Sequence, residues 1–471
     1  MIHIFSYIIS GGMRYNSISA QRKAFCMNNK NTSSIPALSG VTVAEALEAI
    51  LAYFTPLEAV SAALPDALGL VLAEDVSSDM DIPPFDNSSM DGYAVQAGDT
   101  ANASDVAPVH LKITGYLPAG GAPGPNDRVQ PGTAFRIMTG APVPPGADAV
   151  VRFEDTSDGR ALENSALQPG QSRATLTQIG SDVLIYRGVT RGANVRRSGG
   201  DVHMGDLVLR AGVIIRPAEI GVLASVGRPT VLVHRRPRVA VLATGDELVG
   251  VGEMPGPGQI RNSNGYSVAA QVTSWGAEAY NLGVARDNRE HLMSKLEEAL
   301  ALQPDLLVTS AGVSVGDYDI VKDALMSIGS ISMWRVKVKP GKPLAFGRLG
   351  ERGVPFLGLP GNPVSSMVSM ELFGRPAVMK MLGKSRLQRP IIQVRVMEPI
   401  ESSPGRENYI RAIVSREGNE YVARSTGAQG SEILTSMSKA NAFLIVDEHT
   451  RLIEMGGMAR ALMLDWPEEV F

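Results

Sequence analysis

Five sets of polar residues in the second half of the chain each follow an apolar segment. They are Asp246 with Glu247, Asp287, residues 310–319, Lys339 with Lys342, and Asn362. Lysines and free backbone N–H groups bind oxyanions, whereas carboxylates together with phosphate oxygens are usual ligands of Mg²⁺. The residue types therefore predict a site for a phosphorylated ligand and a magnesium ion.

Apolar segments and helical patterns alternate between residues 238 and 382, and they would position these polar sets. The predicted strands are 239–243, 280–284, 306–309, 333–339 and 356–359. Such alternation predicts a doubly wound, mostly parallel α/β sheet with right-handed crossovers. Because the carboxyl ends of parallel strands meet at one edge, we expect the five sets to lie together there.

The central junction runs from the predicted strand 306–309 into a loop of small residues, Ser310 to Ser314, and then into a helix over 317–328. Backbone N–H groups at such a junction favour anions. An ordinary strand–helix turn that uses glycine for its geometry is the alternative. Two helix starts are also predicted, at Thr42 with Glu45 and at Asp287 with Glu290.

Changes in composition and in the pattern of apolar residues along the chain predict several domains. Residues 1–36 are expected to be a disordered extension, with an unused upstream start or a targeting peptide as alternatives. Residues 41–105 and 190–236 would form a discontinuous mixed linker domain, 106–189 a small β lid domain, 237–385 the α/β domain, and 386–471 a barrel-like β domain. No segment is long and apolar enough to span a membrane.

Composition excludes several function classes. A net charge of −4 provides no basic excess for nucleic-acid binding. One cysteine allows no internal disulfide and no CxxC zinc site, so the reducing cytoplasm is the expected compartment. Neither a GxxxxGK[ST] loop nor a GxGxxG fingerprint after the first strand of the α/β region is present, and no Ser-His-Asp or Cys-His set can be assembled.

Two further loops carry an acid in a setting that suits either a plain turn or a binding loop. Asp91 follows the polar, proline-stiffened stretch from Pro83 and precedes a predicted strand. Asp201 follows two glycines, Gly199 and Gly200. Neither loop by itself separates the two interpretations.

Seven motifs, taken in their order along the chain, carry a resemblance to a known family. They are DNSSMDGYAV (86–95), RIMTGAPVP (136–144), VRRSGGDV (195–202), TGDEL (244–248), SAGVSVGDYD (310–319), KPGKPLAFG (339–347) and LPGNPVS (359–365). In this order they closely resemble the molybdopterin molybdenumtransferase family, which includes bacterial MoeA and the gephyrin E domain. The resemblance covers residues 40–471.

The resemblance implies insertion of molybdate into adenylylated molybdopterin, with Mg²⁺-dependent cleavage of the pyrophosphate bond and release of AMP. It also implies a homodimer, a molybdopterin adenylyltransferase that supplies the substrate, and molybdoenzymes that receive the cofactor. Two other functions remain open: a scaffold that holds cofactor without turnover, and an adenylyltransferase or CinA-like hydrolase that shares only the central domain.

Site residues are carried over by matching position. The implied catalytic acids are Asp91, Asp201, Glu247, Asp287 and Asp319, and the implied metal ligands are Asp246, Glu247, Asp287, Asp317 and Asp319. The implied cofactor-binding residues are Thr139, Ser310, Gly312, Ser314, Lys339, Lys342, Pro360, Asn362 and Pro363. The sequence departs from the family pattern at Gly200, where many relatives have Glu, and at Ala311, where glycine is common.

The acid assignment predicts that Asp319→Ala slows turnover of adenylylated molybdopterin, because a carboxylate that holds Mg²⁺ or orients a reactant is lost. The rate of AMP release by the purified variant is the measurement. Turnover at the wild-type rate would show that the assignment is wrong.

Overall fold

The structure is a computed structural model that describes residues 38–163, 181–311 and 320–467. It divides into two compact units. The small unit is Ala59–His234, and the large unit comprises the other described residues. The predicted extension, residues 1–36, lies outside the described residues.

A seven-stranded sheet forms the centre of the large unit. Its strands lie in the order Ser39–Val41, Gly329–Val336, Pro343–Leu349, Val354–Leu359, Leu306–Ser310, Arg238–Thr244 and Glu278–Ala285. Pro343–Leu349 runs antiparallel to both of its neighbours, and the other pairings are parallel. The mostly parallel sheet is therefore confirmed.

Helices cover both faces of this sheet. Val239 and Val241 point into one apolar core, whereas Ala240 and Leu242 point into another, because successive side chains of a strand alternate between faces. Two buried faces explain why this strand is a continuous apolar run rather than an alternating one. The helices of the large unit that flank the sheet are Val43–Leu51, Asn264–Ser274, Arg289–Ala301, Ile320–Ile328, Pro363–Ser369 and Arg375–Met381, with a π-helical turn at Met370–Gly374.

The predicted strand 333–339 divides between two sheets. Gly329–Val336 belongs to the central sheet, and Val338–Lys339 pairs in parallel with the start of the strand Glu407–Glu417. The predicted alternation is present: Trp334, Val336 and Val338 are buried, whereas the basic residues between them are exposed or half-buried. One short segment thus joins the sheet to the C-terminal domain.

The C-terminal domain is a closed five-stranded barrel, which confirms the predicted barrel-like fold. The strand Glu407–Glu417 pairs with Glu420–Ser425 on one side and with Ala442–Val446 on the other, which closes the barrel. The other strands are Glu420–Ser425, Ile391–Val396, Met458–Met463 and Ala442–Val446. Its interior is an apolar core that includes Val394, Val414 and Leu444.

The small unit contains a five-stranded sheet in the order Ala149–Arg152, Gly92–Val95, Thr133–Ile137, Val109–Leu117 and Asp182–Ile185. Three two-stranded sheets pair Ala59–Ala63 with Thr230–His234, Val76–Ser77 with Leu207–Leu209, and Asn87–Ser88 with Val195–Arg196. Its helices are Ala97–Thr100, Ser157–Glu163 and Pro217–Ser225. The predicted linker and lid boundaries stay predictions.

One predicted helix start is confirmed and the other is wrong. The Thr42 hydroxyl accepts a hydrogen bond from the Glu45 N–H, and the Glu45 carboxylate accepts one from the Thr42 N–H. The helix Arg289–Ala301 is capped by Asn288, whose side chain accepts the His291 N–H at 2.8 Å, and not by Asp287. Asn288 satisfies the helix end, which leaves the Asp287 carboxylate outside the helix.

In the part of the chain that the structure describes, no helix is long and apolar enough to cross a membrane.

The cap assignment predicts that Asn288→Ala lowers the free energy of unfolding by about 1 kcal/mol, because a helix N–H loses its acceptor. Asp287→Ala serves as the matched variant and should have a smaller effect. Denaturant unfolding followed by circular dichroism checks both. A larger loss for Asp287→Ala would contradict the assignment.

Candidate functional site

A cavity of about 1200 Å³ lies within the large unit, between the carboxyl edge of the central sheet and the barrel. The sheet side contributes Glu247, Ser310 and the loop around Lys339. The barrel side contributes Arg406, Arg411 and the segment 429–432. Both walls carry polar and charged side chains, and the size suits a substrate with several functional groups.

Most of the predicted site residues in the described large unit line this cavity. They are Glu247, Ser310, Lys339, Lys342, Pro360, Asn362 and Pro363. The topology explains the convergence, because the strands that precede these residues are parallel and end at the same edge. Gly312, Ser314, Asp317 and Asp319 lie outside the described residues.

Asp246 and Asp287 lie at the same edge of the sheet but do not line the cavity. The Asp287 N–H donates to Asp246 Oδ1 at 3.0 Å, and the Asp246 N–H donates to Asp287 Oδ2 at 3.4 Å. Arg286 donates to the Asp246 carbonyl oxygen at 3.0 Å. These bonds tie together the loops that follow two neighbouring strands, and both carboxylates remain exposed.

Within residues 38–163, 181–311 and 320–467, no group of three or more His, Cys, Asp or Glu side chains is close enough to hold a metal ion. Two of the predicted metal ligands, Asp317 and Asp319, are outside those ranges. The magnesium ligand set stays a prediction.

Basic side chains line both walls of the cavity. Lys339 Nζ donates to Ser403 Oγ at 2.7 Å, so the barrel fixes a lysine of the sheet edge. Lys342 is exposed and has no salt-bridge partner among the described residues. Two ammonium groups on one short loop suit an oxyanion.

Arg411 is a buried cation of the barrel wall, with 1% of its surface exposed. Its Nε donates to Ser436 Oγ at 3.0 Å and a terminal nitrogen donates to the Gly430 carbonyl oxygen at 2.9 Å. Burial lowers the pKa of Arg411, and the nearby Glu432 charge opposes that effect. Arg411 forms no salt bridge within the described residues, so its charge is available to a ligand in the cavity.

The barrel residues of this site were missed by sequence reasoning. Arg411 lies within the apolar stretch Tyr409–Val414 of the predicted barrel-like domain. Charged residues are seldom fully buried unless a partner compensates them, so an arginine inside an apolar strand was the available signal. Arg406 and Arg261, which also line the cavity, carried no comparable signal.

Several buried polar atoms at the sheet edge have no hydrogen-bond partner among the described residues. Ser310 Oγ is one, on a side chain that lines the cavity. Asn264 Oδ1 is another, although its Nδ2 donates to the Gly361 carbonyl oxygen at 2.7 Å. Buried polar atoms are usually satisfied, so these are candidate contacts for a bound ligand.

The remaining predicted site residues belong to the small unit. Asp91 Oδ1 accepts hydrogen bonds from the Thr139 N–H at 2.7 Å and the Thr139 hydroxyl at 2.8 Å. One carboxylate oxygen of Asp91 is therefore fixed while the exposed side chain keeps the other for a ligand. Asp201 is exposed and donates its backbone N–H to the Ile82 carbonyl oxygen at 2.9 Å.

Three family models match successive parts of the chain: "MoeA N-terminal region (domain I and II)" over residues 41–227, "Probable molybdopterin binding domain" over 240–380, and "MoeA C-terminal region (domain IV)" over 393–460. Molybdopterin molybdenumtransferase 1 of Mycobacterium tuberculosis is 34% identical over 414 residues, which cover 84% of this chain and 92% of that protein. The chain belongs to the molybdopterin molybdenumtransferase family.

Other relatives agree with this membership. The molybdopterin molybdenumtransferase of Haemophilus influenzae is 34% identical over 83% of this chain and 91% of its own length. The crystal structure of the molybdopterin biosynthesis MoeA protein from Pyrococcus horikosii superposes with a TM-score of 0.72 at 30% identity, over 90% of this chain and 99% of that chain.

Family membership confirms the predicted resemblance, and the chain is a transferase of molybdenum cofactor biosynthesis. Because the matches extend from residue 41 to residue 460, they include the N-terminal and C-terminal regions as well as the central domain. The alternative in which only the central domain is shared is therefore wrong.

Ala311, one of the departures from the family pattern, lies in the cavity wall with a backbone φ of +75°. A left-handed backbone costs an L-residue roughly 1–2 kcal/mol, whereas glycine adopts it freely. A Cβ placed on the neighbouring Gly361 would lie 3.4 Å from the Ala311 methyl carbon. Ala311 therefore adds backbone strain at this point of the wall.

Ala311→Gly is expected to raise the free energy of unfolding by about 0.5–1 kcal/mol, since relief of strain exceeds the added freedom of the unfolded chain. Ala279→Gly, near the start of the strand Glu278–Ala285, is the control and should be destabilising. Denaturant unfolding of both variants tests this. A loss of stability in Ala311→Gly equal to that of the control would contradict the strain argument.

Proposed function

We propose that this enzyme inserts molybdenum from molybdate into adenylylated molybdopterin, with Mg²⁺-dependent cleavage of the pyrophosphate bond and release of AMP. Family membership supports molybdenum insertion. The residues that line the cavity support the Mg²⁺-dependent cleavage and the release of AMP. The observation that carries the proposal is the set of three cations, Lys339, Lys342 and Arg411, on two walls of one cavity.

These cations suit a compact oxyanion such as molybdate. Lys339 is oriented by Ser403, and Arg411 is oriented by Ser436 and Gly430, so neither must be ordered when the anion binds. Donors that are already in place bind an anion without paying for their own ordering. The same donors stabilise the negative charge that develops on phosphate oxygens during bond cleavage.

The acids at the sheet edge suit magnesium that arrives with the substrate. Mg²⁺ in phosphate-transfer sites is usually held by one or two carboxylates together with phosphate oxygens and water. Glu247 lines the cavity, and Asp246 and Asp287 are exposed at the same edge, so oxygen ligands of this kind are present. When bound, the ion would neutralise pyrophosphate charge, and Glu247 would orient it or an attacking water.

The dithiolene sulfur atoms that receive molybdenum belong to molybdopterin, so the protein needs no thiol for this reaction. The sequence agrees, because its single cysteine, Cys26, lies in the N-terminal stretch outside the matched regions. The protein residues need only bind the two anionic substrates, orient them and stabilise charge.

The proposed setting is a cytoplasmic homodimer. Its adenylylated substrate would come from a molybdopterin adenylyltransferase, and its product would pass to molybdoenzymes. Asp91, Thr139 and Asp201 of the small unit remain proposed site residues. The pinned carboxylate of Asp91 supports a role in orienting a reactant.

Purified protein supplied with adenylylated molybdopterin, Mg²⁺ and molybdate should release AMP in a molybdate-dependent manner and form active cofactor. Lys342→Gln should lower turnover by about 10- to 100-fold, the range for loss of a charged hydrogen bond. Lys295→Gln is the control, because that lysine pairs with Glu298 on the helix Arg289–Ala301 and does not line the cavity.

Binding of adenylylated molybdopterin without AMP release by the wild-type protein would favour the scaffold role. Equal turnover of the two lysine variants would show that Lys342 does not belong to the site.

A further inference from the structure

A tight turn of the barrel forms part of the cavity wall and is held by several hydrogen bonds. The turn, residues 402–406, connects the strands Ile400–Glu401 and Glu407–Glu417. The buried side chain of Asn408 donates to the carbonyl oxygens of Ser403 at 3.0 Å and Arg406 at 2.7 Å. The Gly405 N–H donates to the Glu448 carbonyl oxygen at 2.7 Å. The backbone of the turn is therefore fixed before any ligand binds.

The same turn is tied to the lysine loop of the central sheet. Ser403 Oγ accepts from Lys339 Nζ at 2.7 Å, and the Glu407 N–H donates to the Lys337 carbonyl oxygen at 2.9 Å. Val338–Lys339 pairs with Glu407 and Asn408. The turn and the lysine loop thus form one built segment of the wall.

Arg406 is the cation that this turn presents to the cavity. Its side chain is half-buried and lines the cavity. Its guanidinium forms no hydrogen bond or salt bridge within the described part of the chain, and Glu401 of the same wall is not within salt-bridge distance. By contrast, the barrel residue Arg395 forms a salt bridge with Glu420 at 3.0 Å.

The two arginines of the wall differ in the number of N–H donors that they can offer a ligand. Arg411 already uses its Nε and one terminal nitrogen on Ser436 and Gly430, so three of its five N–H donors remain for a ligand. Arg406 keeps all five N–H donors, and a planar guanidinium with a free fork matches two phosphate oxygens at once. A pyrophosphate offers such pairs of oxygens.

We propose that Arg406 binds the pyrophosphate of the adenylylated substrate, with the 402–406 turn as its fixed support. This inference rests on the proposed function, and it assigns the barrel a binding role for the phosphate part of the substrate. Arg406 acts at the substrate itself, so its loss should weaken substrate binding more than it slows the bound substrate.

The test compares Arg406→Gln, Arg406→Lys and Arg424→Gln with the wild type in steady-state AMP release. Arg424 is the control, because it is an exposed barrel arginine outside the cavity. Arg406→Gln should raise the KM for adenylylated molybdopterin by about 10- to 100-fold. Arg406→Lys should recover part of that loss, and Arg424→Gln should match the wild type. An unchanged KM in Arg406→Gln would overturn the proposal.

A second measurement separates this inference from the proposed function. Isothermal titration with inorganic pyrophosphate should show binding to the wild type and to Arg424→Gln, with at least tenfold weaker binding to Arg406→Gln. If the wild type binds pyrophosphate but releases no AMP, and Arg406→Gln loses pyrophosphate binding, the anion site is supported and the proposed reaction is rejected. If all variants bind pyrophosphate equally well, or if the wild type does not bind it, the inference about Arg406 is overturned. The proposed reaction would still hold if the wild type releases AMP.

Discussion

The cavity depends on the short parallel pairing of Val338–Lys339 with Glu407–Asn408. The chain leaves the central sheet at Val336, and two residues later it is hydrogen-bonded to the barrel. Val338 is fully buried at this junction, so the pairing is also a packing contact. The pairing holds the basic loop of the sheet edge against the barrel wall, and the cavity is lined by both.

A second contact between the sheet domain and the segment that leads into the barrel is ionic. The buried carboxylate of Glu371 accepts from Arg389 Nε at 2.9 Å and lies 3.5 Å from Arg375 Nε. Arg389 also donates to the Leu464 carbonyl oxygen at 2.6 Å, and burial lowers the pKa of Arg375. Buried pairs of this kind add little net stability, but removal of one partner is costly, so they favour one arrangement of the segments.

Much of the fold could be predicted because it rests on local pattern. Apolar runs located five of the seven strands of the central sheet to within a few residues, and the alternation in 333–339 identified its buried and basic sides. Prediction failed where two local patterns compete. Asp287 and Asn288 can both cap a helix, and the choice of Asn288 follows from the hydrogen bonds that tie Asp287 to the neighbouring loop at Asp246.

The sequence by itself determined the family, the parallel sheet and the edge at which Glu247, Ser310, Lys342 and Asn362 meet, because strand direction and period follow from neighbouring residues. Only the tertiary structure decided that the barrel supplies Arg406 and Arg411 to the same cavity. Those arginines follow Lys342 by more than sixty residues. No local pattern records which distant segments a fold brings into contact, since that depends on how whole domains pack.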